Sequence, residues 1–220
     1  MTDRSPLIPP TPTEAEYRDA AGRPLDDIFA RENPLELFRN WLADATATEV
    51  NDPNAVAVAT VDADGMPDVR IVLLKDFDAR GFVFYSHLDG AKGEQMAANP
   101  VAAMCFHWKT QKRQVRLRGR VEIVADAEAD AYFAQRARLS QVGAHASKQS
   151  RELGSWEGLR AEVSRLDGEF SEEVPRPSDW TGFRVVPDVI EFWRDRPFRL
   201  HDRLEFARTD DGWTKRRLYP

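Results

Sequence analysis

The sequence predicts a mainly β chain in which helices pack on the outside of an antiparallel β-barrel. Short runs rich in β-branched and aromatic residues, separated by turn residues, recur between residues 55 and 124. Helical patterns fill the middle third, and strand patterns return after residue 180. Strands on both sides of a helical insert favour a single antiparallel barrel.

Length and composition indicate one globular domain. The chain has 220 residues, of which 42% are hydrophobic and 31% charged. We predict a flexible N-terminal arm at residues 1–32 and a single domain at residues 33–220. The net charge of −6 disfavours a protein that coats nucleic acid. With one cysteine, no zinc-like ligand spacing and no apolar leader, we expect no metal, no disulfide and a cytoplasmic location.

The predicted elements follow in order along the chain. Asn33 can cap a helix that begins at Pro34 and carries an apolar stripe of Leu35, Phe38, Trp41 and Leu42. Strand patterns lie at residues 55–62, 70–75, 82–87, 101–108, 114–124, 180–186, 189–194, 203–208 and 212–218. Helical patterns lie at residues 91–99, 126–138 and 155–170, with a further segment that ends near residues 147–150.

The segment "RIVLLK", residues 70–75, is apolar on both faces of its predicted strand. One face can fill the barrel, and we expect a second subunit to cover the other, which predicts a homodimer. Arg70 and Lys75 lie about 16 Å apart in an extended strand and have opposite side-chain parity. They therefore suit two separate anions rather than one, unless they are simply the solvated ends of a strand.

Several polar groups have both a functional and a structural interpretation. The face of Gln114, Arg116, Arg118 and Arg120 could bind nucleic acid or simply be solvated. "SKQS", residues 147–150, is a group of hydrogen-bond donors that could equally cap a helix.

A second pair of groups suits an anion. Tyr132, Arg136 and Ser140 share one face if their helix continues, and could bind a phosphate or form an exposed amphipathic face. In "RLHDR", Arg199, His201 and Arg203 could face an electron-rich ligand, or pair with Asp195 or Asp202.

Taken in order, these segments resemble the pyridoxamine 5′-phosphate oxidase family. The motifs that carry the resemblance between Asn33 and Pro220 are "RIVLLK", "VFY", "NP", "RQV", "YF", "SQVGAHASKQS", "GFRV", "IEFW" and "RLHDR". The resemblance implies a split antiparallel β-barrel with packed helices, assembled as a homodimer with FMN at the subunit interface. It also implies oxidation of pyridoxamine 5′-phosphate and pyridoxine 5′-phosphate by O₂ to pyridoxal 5′-phosphate, with release of H₂O₂, and of NH₃ from the amine.

The resemblance assigns site residues by position. Those that would bind the cofactor are Arg70, Ile71, Val72, Leu73, Leu74, Lys75, Tyr85, Ser86, Lys92, Gln114, Gln149, Ser150, Trp193 and Arg203. Those that would bind the substrate are Lys75, Tyr132, Arg136, Ser140, Arg199, Leu200 and His201. Arg199 and His201 would act at the reactive end of the substrate.

Three positions depart from the family pattern, and three other functions compete. Many relatives carry an arginine where this chain has Ala91, and basic residues in the arm where it has Glu14 and Ala15. The competing functions are those of a split-barrel flavoprotein with another substrate, a non-catalytic carrier of flavin or pyridoxal phosphate, and a nucleic-acid-binding barrel. "RLHDR" with the Tyr132–Arg136–Ser140 face favours the pyridoxine substrate.

Overall fold

A computed structural model of the chain describes residues 11–21, 26–170 and 172–220, and in these residues it contains nine strands and six α-helices. The strands are β1 (Ala55–Val61), β2 (Pro67–Leu73), β3 (Asp76–Asp78), β4 (Gly81–His87), β5 (Val101–Trp108), β6 (Arg113–Ile123), β7 (Trp180–Arg194), β8 (Asp202–Thr209) and β9 (Gly212–Arg217). The helices are α1 (Glu14–Ala21), α2 (Pro34–Thr48), α3 (Ala91–Ala98), α4 (Asp126–Ala134), α5 (Arg138–Ala146) and α6 (Trp156–Glu169). Short 3-10 turns lie at Ile28–Ala30 and Pro197–Arg199. Part of the predicted arm, at residues 1–10 and 22–25, lies outside the described residues.

The nine strands form one antiparallel sheet, which confirms the predicted fold class. Its order is β2-β1-β5-β6-β7-β4-β3, and β8 and β9 extend it from the second half of β7. Along β5 and β6, buried residues alternate with more exposed ones, so that Val115 and Leu117 face the core while Arg116, Arg118 and Arg120 face outward.

Strand β7 is one continuous strand where the sequence pattern predicts two. On one edge, residues 180–185 of β7 pair with β4 and residues 189–194 pair with β8. β6 pairs with β7 from residue 183 to residue 194. The pairing shifts by one residue at Gly119, opposite Pro187, which has no N–H to donate. A Cβ on Gly119 would lie 1.9 Å from the Val186 carbonyl oxygen, so the bulge requires glycine.

Helix α2 packs its buried face against the core of the curled sheet. The Asn33 side chain accepts hydrogen bonds from the backbone N–H groups of Leu35 and Glu36, which confirms the predicted cap. The buried stripe is displaced from the prediction: Leu35 and Leu42 are only partly buried, and the fully buried side chains are Leu37, Phe38, Trp41 and Ala45.

Phe38 of α2 lies at the centre of an aromatic cluster that joins several strands. Its ring lies 4.8 Å from that of Phe77, 4.9 Å from Phe82 and 5.0 Å from Phe106, each in an edge-to-face arrangement. This cluster holds β3, β4 and β5 around the helix. It therefore also fixes the position of β4, whose far end carries Tyr85 and Ser86.

The outer side of β2 is open in a single chain. Leu74, just after the strand, is 4% exposed in the core, whereas Ile71 is 66% exposed and Val69 63%. This leaves one face of the "RIVLLK" segment uncovered, as the sequence analysis expects if a second subunit covers it. Separately, none of the helices in the described residues is long and apolar enough to cross a membrane.

We expect Phe38→Ala to lower the free energy of unfolding by about 3–5 kcal/mol, because it removes a fully buried ring and leaves a cavity. Urea denaturation at fixed protein concentration measures this loss. Val50→Ala, at a side chain that is 90% exposed, serves as the control and should change little. Equal stabilities of the two variants would contradict the central position of Phe38.

Candidate functional site

One cleft brings together most of the residues that the sequence assigns to cofactor and substrate. It is open, has a volume of about 770 Å³, and lies between the ends of β2 and β4 and the helices α3 to α5. The predicted residues that line it are Arg70, Ile71, Val72, Leu73, Lys75, Tyr85, Ser86, Lys92, Tyr132, Arg136, Ser140 and Gln149. Leu74 is the exception within "RIVLLK", because it packs in the core.

Lys92 is the buried cation at one end of the cleft. Its Nζ donates hydrogen bonds to Ser86 Oγ at 2.9 Å and to Gln149 Oε1 at 2.6 Å, and neither partner is charged. Burial, followed by the charge of Arg70, lowers the pKa of Lys92. A cation held only by neutral oxygens is prepared to accept an anion.

The backbone around Lys92 is shaped for close approach. A Cβ on Gly90 would lie 2.5 Å from Gln149 Oε1, so glycine leaves room for that amide. The Ala91 N–H, at the first turn of α3, donates to Ser150 Oγ at 3.2 Å. Ser150 has a left-handed backbone, with φ of 69°. Lys92, Ser86, Ser150 and the N-terminus of α3 therefore converge on one place.

Arg70 lies close enough to Lys92 for its charge to affect the pKa of that lysine. Its terminal nitrogens donate to Thr60 Oγ1 at 2.5 Å, the Val58 carbonyl at 3.2 Å, Asp68 Oδ2 at 2.6 Å and Gln95 Oε1 at 2.8 Å. Two cations on one wall thus share a single carboxylate neighbour, Asp68.

Parallel aromatic rings form another wall of the cleft. Tyr85 stacks on Tyr132 with ring centroids 4.0 Å apart and on Trp180 at 5.2 Å. Burial, with smaller contributions from nearby carboxylates, raises the pKa of Tyr85 to about 12, so its phenol stays a neutral donor. Trp180 shows no periodic signal that marks it as a site residue, and the sequence analysis misses it.

Arg136 lies against this aromatic wall. Its guanidinium carbon is 4.9 Å from the centre of the Trp180 ring and 5.5 Å from that of Phe133. Burial lowers its pKa. One terminal nitrogen, Nη1, is buried and donates to no acceptor among the described residues. A buried, unsatisfied guanidinium N–H is the donor that a phosphate or carboxylate oxygen needs.

Two premises of the sequence analysis differ from the structure here. Tyr132 and Ser140 do not share one helix, because α4 ends at Ala134 and α5 begins at Arg138, yet both line the cleft. Arg70 and Lys75 do not face opposite sides, because β2 ends at Leu73 and parity does not extend past the strand. Both side chains line the same cleft.

The remaining predicted residues lie elsewhere in the chain. Gln114, Trp193 and Arg203 are neighbours in register across β6, β7 and β8. The His201 ring lies 4.7 Å from that of Trp193. Leu200 is 67% exposed, and Arg199 has a left-handed backbone with φ of 61°.

These two groups are at opposite ends of β7. Trp180 lines the cleft at the start of the strand, and Trp193 lies thirteen residues later. At about 3.3 Å per residue this corresponds to roughly 43 Å along the strand. One chain therefore supplies two separate partial sites.

Buried Glu191 holds the second partial site together. Its carboxylate accepts two hydrogen bonds from Arg116 and two from Arg203, one of them at 2.8 Å. Burial alone would raise the pKa of Glu191, but these hydrogen bonds prevail and lower it. Arg116 is thus ion-paired, as Arg120 is with Glu122, which favours the structural interpretation of the arginine face over nucleic-acid binding.

One group near the cleft has metal-ligand residue types. His87, Asp89 and Asp179 each place one ligand atom within 4.8 Å of the others. His87 Nδ1 already contacts Asp179 Oδ2 at 3.3 Å. An ordinary histidine–carboxylate contact accounts for this group.

Known families match nearly the whole domain. The family model described as "Pyridoxamine 5'-phosphate oxidase" matches residues 42–169. The chain belongs to the pyridoxamine 5′-phosphate oxidase family. A second model, described as "Pyridoxine 5'-phosphate oxidase C-terminal dimerisation region", matches residues 180–220. Membership of this family indicates a flavin cofactor, and the second match supports a homodimer.

Relatives in this family match over almost their full length. The pyridoxine/pyridoxamine 5′-phosphate oxidase of Caulobacter vibrioides is 56% identical over 219 residues, with 97% of each chain covered. That of Maricaulis maris is 57% identical, with 97% of this chain and 98% of the relative covered. Among solved structures, PhzG from Burkholderia lata, in complex with tetrahydrophenazine-1-carboxylic acid, aligns with a TM-score of 0.85 at 29% identity. It covers 91% of this chain and 100% of its own.

We expect Glu191→Gln to lower the free energy of unfolding by about 1–3 kcal/mol at pH 7, because two arginines lose their shared counter-ion. The folded pKa lies below the unfolded value of about 4.3, so this contribution is fully present above that pH and is lost as pH falls through the folded pKa. The difference from wild type should therefore narrow in acid.

Urea denaturation at fixed protein concentration, from pH 7 downward, measures this effect. Glu162→Gln, which removes an exposed ion pair with Arg165, is the control and should change stability much less. A Glu191→Gln deficit that grows as the pH falls would contradict the assigned direction of the pKa.

Proposed function

We propose that the protein is an FMN-dependent oxidase in vitamin B6 metabolism. It converts pyridoxamine 5′-phosphate and pyridoxine 5′-phosphate to pyridoxal 5′-phosphate with O₂, and releases H₂O₂, and NH₃ from the amine. The observation that carries this is one cleft with a buried lysine, Lys92, and a partly buried arginine, Arg136. Neither has a carboxylate partner among the described residues, and the chain is 56% identical to a curated oxidase with this substrate name. Two phosphorylated ligands side by side fit these two cations.

The Lys92 end suits the phosphate of FMN. Lys92 Nζ is a charged donor, and Ser86 Oγ accepts from it while donating to Gln149 Oε1. The Ser150 hydroxyl accepts from the Ala91 N–H and keeps its own proton to donate, and the N-terminus of α3 adds a favourable dipole. Arg70 adds a second positive charge beside Lys92. The donor set therefore fits the cofactor, and the apolar side chains of "RIVLLK" would lie along its rings.

The Arg136 end suits the phosphate of the substrate. The unsatisfied Nη1 of Arg136 and the hydroxyl of Tyr132 can each donate to a phosphate oxygen, and the side chains of Ser140 and Lys75 line the same cleft. The Tyr85–Tyr132 stack joins the two ends. The phosphates would fix both ligands so that their rings lie face to face.

We assign the reactive end of the site to the partner subunit. In one chain, Arg199 and His201 lie far along β7 from the cleft, while Ile71 at the cleft is 66% exposed. In a homodimer, the partner's Arg199, His201 and Arg203 can close this cleft, and the symmetry gives two such sites. This is also the place where FMN would lie at the subunit interface.

Each residue group then has a chemical role. A flavin held by these residues would supply the hydride acceptor for the substrate's 4′ carbon and the electron donor for O₂. The partner's Arg199 would hold the 4′ amine or hydroxyl in position, and the partner's His201 would orient that group or take its proton. The partner's Arg203 and the partner's Gln114 would donate hydrogen bonds to the edge of the flavin that gains negative charge on reduction.

Anaerobic reduction tests the reaction itself. Protein loaded with FMN should lose its visible flavin absorbance when pyridoxine 5′-phosphate is added without oxygen, and regain it in air with formation of H₂O₂. Unphosphorylated pyridoxine should react far more slowly, because Arg136 then has no phosphate to bind. A flavin colour that the phosphorylated substrate leaves unchanged would point to a carrier or to another flavoprotein.

Complementation tests the shared site. Arg136→Ala should raise KM more than it lowers kcat, whereas Arg199→Ala should retain flavin but lose turnover. The homodimer of either variant should therefore have a low kcat/KM. Mixed dimers contain one intact site, so random reassembly of the two variants should restore about a quarter of the wild-type kcat/KM. Arg160→Ala, at an exposed position on α6, is the control for the substitution itself. No recovery on mixing would place both residues in the same chain's site.

A further inference from the structure

We infer that Asp68 is a built-in competitor of the cofactor phosphate, which lowers the affinity of the cleft for a phosphorylated flavin by occupying Arg70. The inference concerns the phosphate end of the site and rests on the proposed function. Gln95, on α3, is the positioning residue that holds Asp68 and Arg70 together.

The hydrogen bonds of Arg70 are almost fully used within the chain. A guanidinium has five N–H groups, four of them on its terminal nitrogens. Thr60, Val58, Asp68 and Gln95 accept four hydrogen bonds from these nitrogens, at distances of 2.5 to 3.2 Å. The side chain is only 18% exposed. Without a change in these contacts, Arg70 offers an anion its charge and little more than its Nε–H.

Asp68 is the one charged group among these acceptors. Its Oδ2 lies 2.6 Å from Arg70 Nη2 and 3.4 Å from Gln95 Nε2, and its Oδ1 accepts from the Val69 N–H at 2.8 Å. Hydrogen bonds from Gln95 and Val69, followed by the charge of Arg70, lower its pKa, so it stays ionised at neutral pH. A negative charge therefore lies against Arg70, one of the cations that line the cleft.

Gln95 connects this pair to the core. Its Oε1 accepts from Arg70 at 2.8 Å and from the buried Thr60 hydroxyl at 2.5 Å, while its Nε2 donates toward Asp68. The amide is neutral, so it fixes the geometry without changing the charge. Arg70, Lys92 and Asp68 affect one another electrostatically, as the pKa of Lys92 responds to both neighbours.

Two isosteric substitutions with opposite charge effects test the inference. Asp68→Asn removes the negative charge and keeps the shape, so it should tighten FMN binding by roughly two- to fivefold, as expected for a half-exposed ion pair. Gln95→Glu adds a negative charge at the same guanidinium and should weaken FMN binding by a similar factor. Fluorescence titration of protein freed of its flavin measures the Kd.

Riboflavin, which lacks the phosphate, is the matched control ligand. Its Kd should change with neither variant, and raising the salt concentration should reduce the differences seen with FMN. Asp68→Ala provides a second test in the same direction should Asp68→Asn fold poorly, as judged by its melting temperature.

The possible failures are distinguishable. If the wild-type protein binds FMN no more tightly than riboflavin, the proposed phosphate end is wrong and the inference fails with it. If the wild-type protein prefers FMN but Asp68→Asn leaves that Kd unchanged or raises it, only the inference is overturned. Asp68 would then be a support for Arg70 rather than a competitor.

Discussion

The cleft holds positive charge that no carboxylate among the described residues neutralises, and its proposed role depends on this constraint. Other deeply buried arginines are neutralised: Arg184 pairs with two carboxylates, and so does Arg194. In the cleft, Lys92 is held by a hydroxyl and an amide oxygen, and Arg136 by aromatic faces. Keeping a desolvated cation among neutral groups costs free energy, which an anionic ligand recovers. The two cations therefore support the proposal that the cleft binds anionic ligands.

The second constraint is the length of β7. Because this strand runs unbroken from Trp180 to Arg194, it separates the anion-binding cleft from the Trp193–His201 group by most of its length. A site made within one chain would need a sharp bend in the strand, and the bulge at Gly119 does not interrupt its pairing. A two-fold dimer solves the problem without distorting the sheet, since each copy supplies the group that the other lacks. Catalysis would then require assembly.

The sequence predicts local structure well where one physical rule decides it. Asn33 caps its helix and β6 alternates as expected, because capping and pleat are local. It fails where distant contacts decide. No local signal shows that β7 continues past Pro187, because the strand does so through a bulge at Asp188 that depends on pairing with Arg118 and Gly119 of β6. The same limit explains the site. Motif order predicts most lining residues, but Trp180 and the partners of Arg70 become visible only when strands and helices are brought together.

If the Lys92 end of the cleft binds a phosphate, as proposed, its charge must be balanced without an arginine at position 91, where this chain has Ala91. Arg70 and Lys92, less Asp68, leave a formal charge of +1, and nearby Arg151 is already paired with Glu94. A phosphate monoester carries about −1.5 to −2 near neutral pH. The balance must come from neutral donors and from the N-terminus of α3, equivalent to about half a positive charge. Ser150, whose left-handed backbone costs of order 1 kcal/mol, places its hydroxyl beside that terminus, where it accepts from the Ala91 N–H.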